Sequence, residues 1–399
     1  MGCEVTIDDI CSSVCSGGTP QKSNSEYYEN GNIPWLNTKE ISFNRIRKTK
    51  QFITEAGLRQ SSAKWVRANS VVVAMYGATA GKVAITKIPL TTNQACCNLE
   101  VDKEVADYRY IYYWFQNQYS RVLNLANGGA QQNLNAKTIK AMEIKLPNLA
   151  LQQRIANCLS AIDDEIELNI ELNGYLEELL LAYFKALTPS DNWSEGRADS
   201  FFEIGIGKTP PRKEAEWFAN NRNGNYVWLS IKDMGTPGAY SLDSSEYLTH
   251  AAVKQKNIRQ VPEGSILLSF KLTVGRVKIA ACDMTTNEAI ACFNSSDKKQ
   301  LAYIYPYLLT YDYNKLGSTS SIATAVNSKT IKAMPIVMPN SNELSLFYTA
   351  TKPLYEQMLN IAKENIALAS LRDALLPKLM SGEIDVSKID LTQLNSHLA

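Results

Sequence analysis

Histidine is nearly absent: His250 and His397 are the only two in 399 residues. Triad hydrolysis and histidine-rich metal catalysis need several well-placed imidazoles, so both are disfavoured. His250 itself reads as a surface loop residue. No Cys-x-x-Cys pair occurs among the eight cysteines, which excludes the usual structural zinc site. Their spacing, with Cys96 and Cys97 adjacent, is no disulfide framework; they read as reduced, mostly buried thiols. No run of about 18 apolar residues exists to cross a membrane. Met1-Gly2-Cys3-Glu4 opens no basic-then-apolar leader, so a cytoplasmic chain with no membrane partner is expected. Glycine (20) and proline (14) are too few for a collagen-like or low-complexity chain.

Enzyme signatures are missing as well. There is no Gly-x-Gly-x-x-Gly after a strand, no Gly-x-Ser-x-Gly elbow and no Asp/Asn-Pro-Pro-aromatic tetrad. Gly77-Ala78-Thr79-Ala80-Gly81-Lys82 looks like a phosphate loop but has three residues between its glycines instead of four. Val83 follows the lysine, where Ser or Thr would ligate magnesium. A tight turn that places one basic residue explains it better. The chain is expected to bind rather than catalyse, and to hold no cofactor of its own.

What is present is a unit written twice. Lys137-Thr138-Ile139-Lys140-Ala141-Met142 recurs unchanged at Lys329–Met334. With residue types equally frequent, chance gives such a repeat about once in a thousand chains. Thr19-Pro20 answers to Thr209-Pro210, Trp35-Leu36 to Trp228-Leu229, and Gly81-Lys82-Val83 to Gly275-Arg276-Val277. Thr92-Asn93 answers to Thr286-Asn287, and Tyr110-Ile111-Tyr112 to Tyr303-Ile304-Tyr305. In the second copy Leu272 stands where the first glycine of the loop stands. Order is kept throughout, at an offset of 190 to 194 residues. That is the size of a domain plus a connector.

Within each copy, Ser70–Tyr76 and Ser265–Phe270 are apolar runs bounded by turn residues, hence buried strands. Tyr108–Phe115 and Tyr303–Tyr313 read as aromatic core helices, with nucleobase stacking as the alternative. Each copy then ends in a heptad seam. The first runs Ile155, Leu159, Ile162, Ile166, Asn169, Asn173, Leu176, Leu180, Tyr183. The second, after Pro353, runs Leu354, Met358, Ile361, Asn365, Leu368, Arg372, Leu375, Leu379. Pro377 is expected to kink or end the second helix. Helices of about 25–30 residues, roughly 40 Å, follow from this pattern. A lone heptad helix cannot bury its stripe, so Leu159, Ile162, Ile166, Leu176 and Leu180 are expected to pair with Met358, Ile361, Leu368 and Leu375, antiparallel and about a pseudo-two-fold axis.

Charge is close to balanced overall but not locally. Arg45, Arg47, Lys48, Lys50, Arg59, Lys64 and Arg67 face one acid, Glu55, across residues 45–67. The second copy carries Lys208, Arg212, Lys213, Lys254, Lys256 and Arg259. These, with Lys82, Arg276 and the loop amides Gln131 and Gln132, are candidates for DNA contact. Ordinary solvated faces are the alternative. Residues 160–178 hold seven acids and no base, which would keep that helix off a phosphate backbone.

The doubled order of Gly-x-Thr-Pro-like turn, strand, Gly-Lys/Arg-Val turn and Thr-Asn pair resembles the DNA-specificity subunit of type I restriction–modification systems. The Gln153-Arg154-Ile155-Ala156 helix entry and the C-terminal string Leu371–Ile384 carry the same resemblance, which covers essentially the whole chain. It implies an α+β protein with target-recognition domains at 1–148 and 189–340. Helical spacers would occupy 149–188 and 341–385, and a tail 386–399. The implied function is non-catalytic: each domain reads half of a split site on double-stranded DNA. Two adenine-methylating subunits dock on the helices, and restriction and translocase subunits can join. S-adenosylmethionine, ATP and magnesium would belong to those partners, which can also supply phosphate contacts that a near-neutral chain lacks. A stand-alone pseudo-dimeric DNA-binding regulator and a coiled-coil scaffold without DNA are the other readings.

Overall fold

A computed structural model describes residues 3–127, 134–316 and 326–386. The chain divides into two compact units: Met1–Asp164 with Ala369–Ala399, and Glu165–Leu368. Each is a mixed α+β body, and the two are built to one plan.

In the first unit a five-stranded sheet runs in the order Cys11–Ser16, Cys96–Val101, Val71–Ala74, Val83–Thr86, Asn44–Ile46. The second unit repeats it as Glu203–Ile206, Ile290–Asn294, Ile266–Ser269, Val277–Ala280, Tyr240–Ser241. In both, the last pairing is parallel and the others antiparallel. A second sheet in each unit centres on the Trp-Leu strand. Trp35-Leu36 lies parallel to Thr91-Thr92, and Trp228-Leu229 parallel to Thr285-Thr286. The repeated hexamer closes a short helix on a two-stranded ladder. Ile139, Met142, Ile331 and Met334 are buried, and Asn135 and Asn327 cap the helix starts through backbone amides. The isoleucine and the methionine of the hexamer are core in both copies.

The aromatic helices are core too. Tyr108–Asn117 buries Tyr110 through Phe115 against Val71, Val73, Val83, Ile85 and Leu99. Lys298–Thr310 buries Tyr303, Ile304, Tyr305 and Leu308 against Ile266, Leu268 and Phe293. Rings buried this way offer no surface to a base.

The two long helices exceed the sequence expectation. They span Leu149–Lys185 and Ser341–Ser381, 37 and 41 residues, rather than 25–30. Each starts behind a proline with an asparagine cap: Asn148 accepts from the Leu151 amide at 2.9 Å, and Asn340 from Asn342 and Glu343 at 3.0 and 3.1 Å. The second helix therefore starts well before Pro353 and also passes through Pro377. A proline inside a helix costs about 3 kcal/mol, which burial of its neighbours Leu376 and Leu379 offsets. The helix ends at Gly382, in the left-handed conformation at φ +78°.

Each unit holds an antiparallel segment of both helices. In the first, Ile155 and Leu159 share a core with Leu375, Leu376 and Leu379. Arg372 donates to Asp163 at 2.9 Å, and Arg154 to the Val386 carbonyl at 3.2 Å. In the second, Leu176 and Leu180 share a core with Leu354 and Met358, and Asn169 donates to Glu364 at 3.3 Å. Ile162 and Ile361 are buried, while Ile166 and Leu368 are half-buried. Tyr183 departs from the expected seam. It is 43% exposed, and Phe184 packs inward against Tyr303 instead. A straight helix drifts off a 3.5-residue repeat, and by Tyr183 the drift has changed which side chain faces in. Among the described residues, no helix is long and apolar enough to cross a membrane.

One contact fixes the frame of each unit. A Cβ on Gly17 would lie 2.2 Å from the Thr92 carbonyl oxygen, and one on Gly207 would lie 2.2 Å from the Thr286 and Asn287 oxygens. Gly17→Ala and Gly207→Ala are each expected to lower stability by about 2–3 kcal/mol, read as a shift in urea midpoint at unchanged slope. Wild-type midpoints would show that these turns do not set the packing.

Candidate nucleic-acid interface

In the first unit, the loop between Asn44–Ile46 and Gln51–Ile53 carries Arg47, Lys48 and Lys50, all exposed. Lys64 and Arg67 flank the strand Trp65–Val66 at the far edge of the smaller sheet and are also exposed. Arg59 lies 4.0 Å from Glu55 and Arg67 3.7 Å from Glu100, with side chains 79% and 84% exposed. Pairs this open are worth little, so both cations remain available. Lys82 is half-buried, on the turn between Val71–Ala74 and Val83–Thr86. Gly77 and Gly81 there take φ of +88° and +78°, and the Gly81 amide returns to the Ala74 carbonyl.

Arg45 leaves the candidate set. Its side chain is 6% exposed, pairs with Asp164 and donates to the Ser160 carbonyl at 3.3 Å. The acidic stretch of the first long helix, expected to repel phosphate, is thus partly internal. Asp163 accepts from Tyr113 at 2.6 Å and from Arg372, and Glu177 accepts from Tyr305. Burial, with Asp163 adding to it, drives the Tyr113 phenol well above its ordinary range.

Four of the second unit's candidate cations are engaged within the unit. Arg212 binds Glu246 through two nitrogens, at 2.5 and 3.0 Å, and lies 4.7 Å from the ring centres of both Phe218 and Trp228. Those bonds hold its guanidinium above the ordinary range. Lys256 pairs with Glu214 at 2.9 Å and sits over Trp217 at 4.5 Å. Its hydrogen bond, followed by that of Trp217, lowers the Glu214 carboxyl. Arg259 pairs with Glu203, and Arg276 donates to the Ile231 carbonyl at 2.6 Å. Arg212, Lys256 and Arg276 are therefore held within the unit, while Arg259, in a pair open to solvent, is held more weakly. Lys213 and Lys254 are exposed; Lys208 is exposed too, although its ammonium donates to the Lys256 carbonyl. His250 opens the helix His250–Gln255 instead of lying in a loop, its ring 4.7 Å from that of Tyr226. Gln131, Gln132 and His397 lie outside the described residues.

Two cations were missed by the sequence reading. Lys22 and Lys39 line a cleft of about 470 Å³ together with Lys50, Tyr28, Trp35, Asn37, Glu40 and Gln51. Lys39 lies six residues before the 45–67 cluster and Lys22 twenty-three, and the fold brings both to the cleft that Lys50 lines.

The type I restriction modification DNA specificity domain matches twice, over residues 3–178 and 190–366. The chain is similar to the type I restriction enzyme MjaIX specificity subunit of Methanocaldococcus jannaschii, 28% identical across 96% of this chain and 93% of that protein. It is 31% identical to the EcoR124I/EcoR124II specificity subunit of Escherichia coli over 44% of this chain and 47% of that one. The solved type-I restriction-modification S subunit from M. genitalium superposes with a TM-score of 0.50 at 18% identity, covering 94% of this chain and 95% of that one. At that identity the likeness concerns the fold.

Burial separates the two kinds of cation experimentally. Arg45→Ala is expected to cost about 1.5–3 kcal/mol, because Asp164, half-exposed, keeps its water while the Arg45 bonds disappear. Lys48→Ala should stay within about 0.5 kcal/mol of wild type. Equal midpoints for the two variants in urea would refute the division.

Proposed function

As a member of the type I restriction modification DNA specificity family, the chain is, we propose, the DNA-reading subunit of such a system. Each unit reads one half of a bipartite site on double-stranded DNA. Two adenine methyltransferase subunits, with restriction and translocase subunits as further partners, act where the chain binds. The observation that carries this reading is the double match: residues 3–178 and 190–366 each correspond to one specificity domain. One fold, twice present with different side chains on its loops, suits a split recognition sequence.

The exposed cations of the first unit, Arg47, Lys48, Lys50, Arg59, Lys64 and Arg67, are assigned to phosphate contact, with Lys82 beside them. In the second unit that role falls to Lys208, Lys213 and Lys254. Methyl transfer and ATP hydrolysis, with their S-adenosylmethionine, ATP and magnesium, are assigned to the partners, and the complex to the cytoplasm.

Mapping N6-methyladenine in DNA from cells that carry the chain and its methyltransferase tests the reading. Two short fixed sequences separated by unread base pairs are expected; a single continuous motif, or methylation independent of this chain, would overturn it. Charge reversal at Arg47, Lys48, Lys64 and Arg67 should weaken DNA binding by the complex and lower its salt slope by about one for each phosphate no longer neutralised. The methyltransferase should remain bound in that variant. Intact DNA affinity with failed assembly would exchange the roles of cations and helices.

A further inference from the structure

The Lys22 cleft has a counterpart in the second unit, built from the same frame and closed by different side chains. Lys22 and Arg212 each stand three residues beyond the threonine of the Thr-Pro turn. Tyr28 and Phe218 each follow a one-turn 3-10 helix, Ser25–Tyr27 and Ala215–Trp217. Each ring meets its tryptophan edge-on: Tyr28 to Trp35 at 6.2 Å and Phe218 to Trp228 at 5.8 Å. Gln51 is the strand partner of Trp35, and the Glu246 carbonyl accepts from the Trp228 amide in the equivalent register. Arg212, Phe218, Trp228 and Glu246 thus correspond to Lys22, Tyr28, Trp35 and Gln51.

In the second unit the arginine lies across both rings and is neutralised by Glu246. In the first, Gln51 has no charge to offer. Among the described residues, the ammonium groups of Lys22, Lys39 and Lys50 have no carboxylate within ion-pairing distance. The one carboxylate lining the cleft, Glu40, is committed to the backbone amides of Asn37 and Lys50, at 3.3 and 2.9 Å. Three cations around one engaged acid leave a surplus of positive charge in a cleft with an aromatic floor.

We propose that this cleft of the first unit seats a phosphodiester of bound DNA, with Lys22, Lys39 and Lys50 as its ligands and Gln51 positioned beside them to donate to the same strand. The second unit does not use the equivalent place, because Glu246 there takes up the charge of Arg212. This inference rests on the DNA-reading role proposed above and assigns that role to side chains. A carboxylate in place of Gln51 would convert a phosphate seat into an internal ion pair.

The test transplants the clamp. Lys22→Arg with Gln51→Glu gives the first unit the pair that the second already accommodates. Lys39→Ala with Lys50→Ala removes the other two cations at exposed positions, where folding is not at stake. Each variant, in complex with the methyltransferase partner, is titrated with duplex DNA carrying the mapped motif. The expected result is about tenfold weaker binding at ~0.1 M salt, a salt slope lower by about one or more, and a Tm no lower than wild type. Affinity and slope within about twofold of wild type in both variants would overturn the assignment. Binding of adenosine monophosphate or inorganic phosphate that disappears in the variants, with DNA affinity unchanged, would overturn it in favour of a small-anion site. A wild-type complex with no salt-dependent DNA binding would instead defeat the DNA-reading role itself, and the cleft assignment with it.

Discussion

In each unit a glycine turn is pressed against the end of a Thr-Asn strand so closely that no side chain fits between. The Gly18 amide donates to the Thr92 carbonyl and the Lys208 amide to that of Thr286, both at 2.8 Å. The carbonyls of Gly18 and Lys208 then accept the indole N–H of Trp35 and Trp228, at 2.9 and 3.2 Å. The Asn93 and Asn287 amides return to Leu36 and Leu229, both at 3.0 Å. Turn, Trp-Leu strand and the strand end at Thr-Asn are thereby bonded in a closed circuit. Breaking one link strands the polar partners of the others. The chain beyond the turn must then leave at one place, which sets Lys22 and Arg212 beside their aromatic pairs.

This circuit explains why the duplication was legible. The glycine and the tryptophan in it are held by geometry that another residue would spoil, one by the 2.2 Å approach of strand oxygens and the other by its indole hydrogen bond, and both copies carry them. The hexamer Lys137–Met142 persists for a similar reason, since it turns a helix into a strand with Ile139 and Met142 in the core. The buried strands and aromatic helices were legible from apolar runs alone. Helix length was not. Pro353 and Pro377 are local stop signals, and only tertiary packing of the neighbouring leucines overrides them.

The candidate interface was less legible than the fold, and the reason is physical. Arg45 looks like its neighbours Arg47 and Lys48 in sequence, yet its partner Asp164 lies more than a hundred residues away. A cation's availability depends on which carboxylate the fold brings within about 4 Å, and charge runs do not carry that information. The same blindness hid the internal use of Asp163, Asp164 and Glu177, which looked like a solvated acidic face. It also hid Lys22 and Lys39, whose meeting with Lys50 depends on the circuit around Trp35.

Two copies with one frame therefore need not have one electrostatic surface. Arg212 and Lys22 occupy the same place, carry the same formal charge and stand near the same kind of ring. What separates them is the residue across the strand, Glu246 in one unit and Gln51 in the other. A guanidinium held by two bonds to a carboxylate and laid over two aromatic faces contributes rigidity to its own domain and little field outside it. An ammonium facing an amide keeps its charge for whatever approaches. Among the candidate DNA contacts of the second unit, setting aside Arg212, Lys256, Arg259 and Arg276 leaves Lys208, Lys213 and Lys254, against a larger exposed set in the first. The difference between the units lies as much in the carboxylates as in the cations, and Glu246 is the residue at which a single change of side chain would move the boundary.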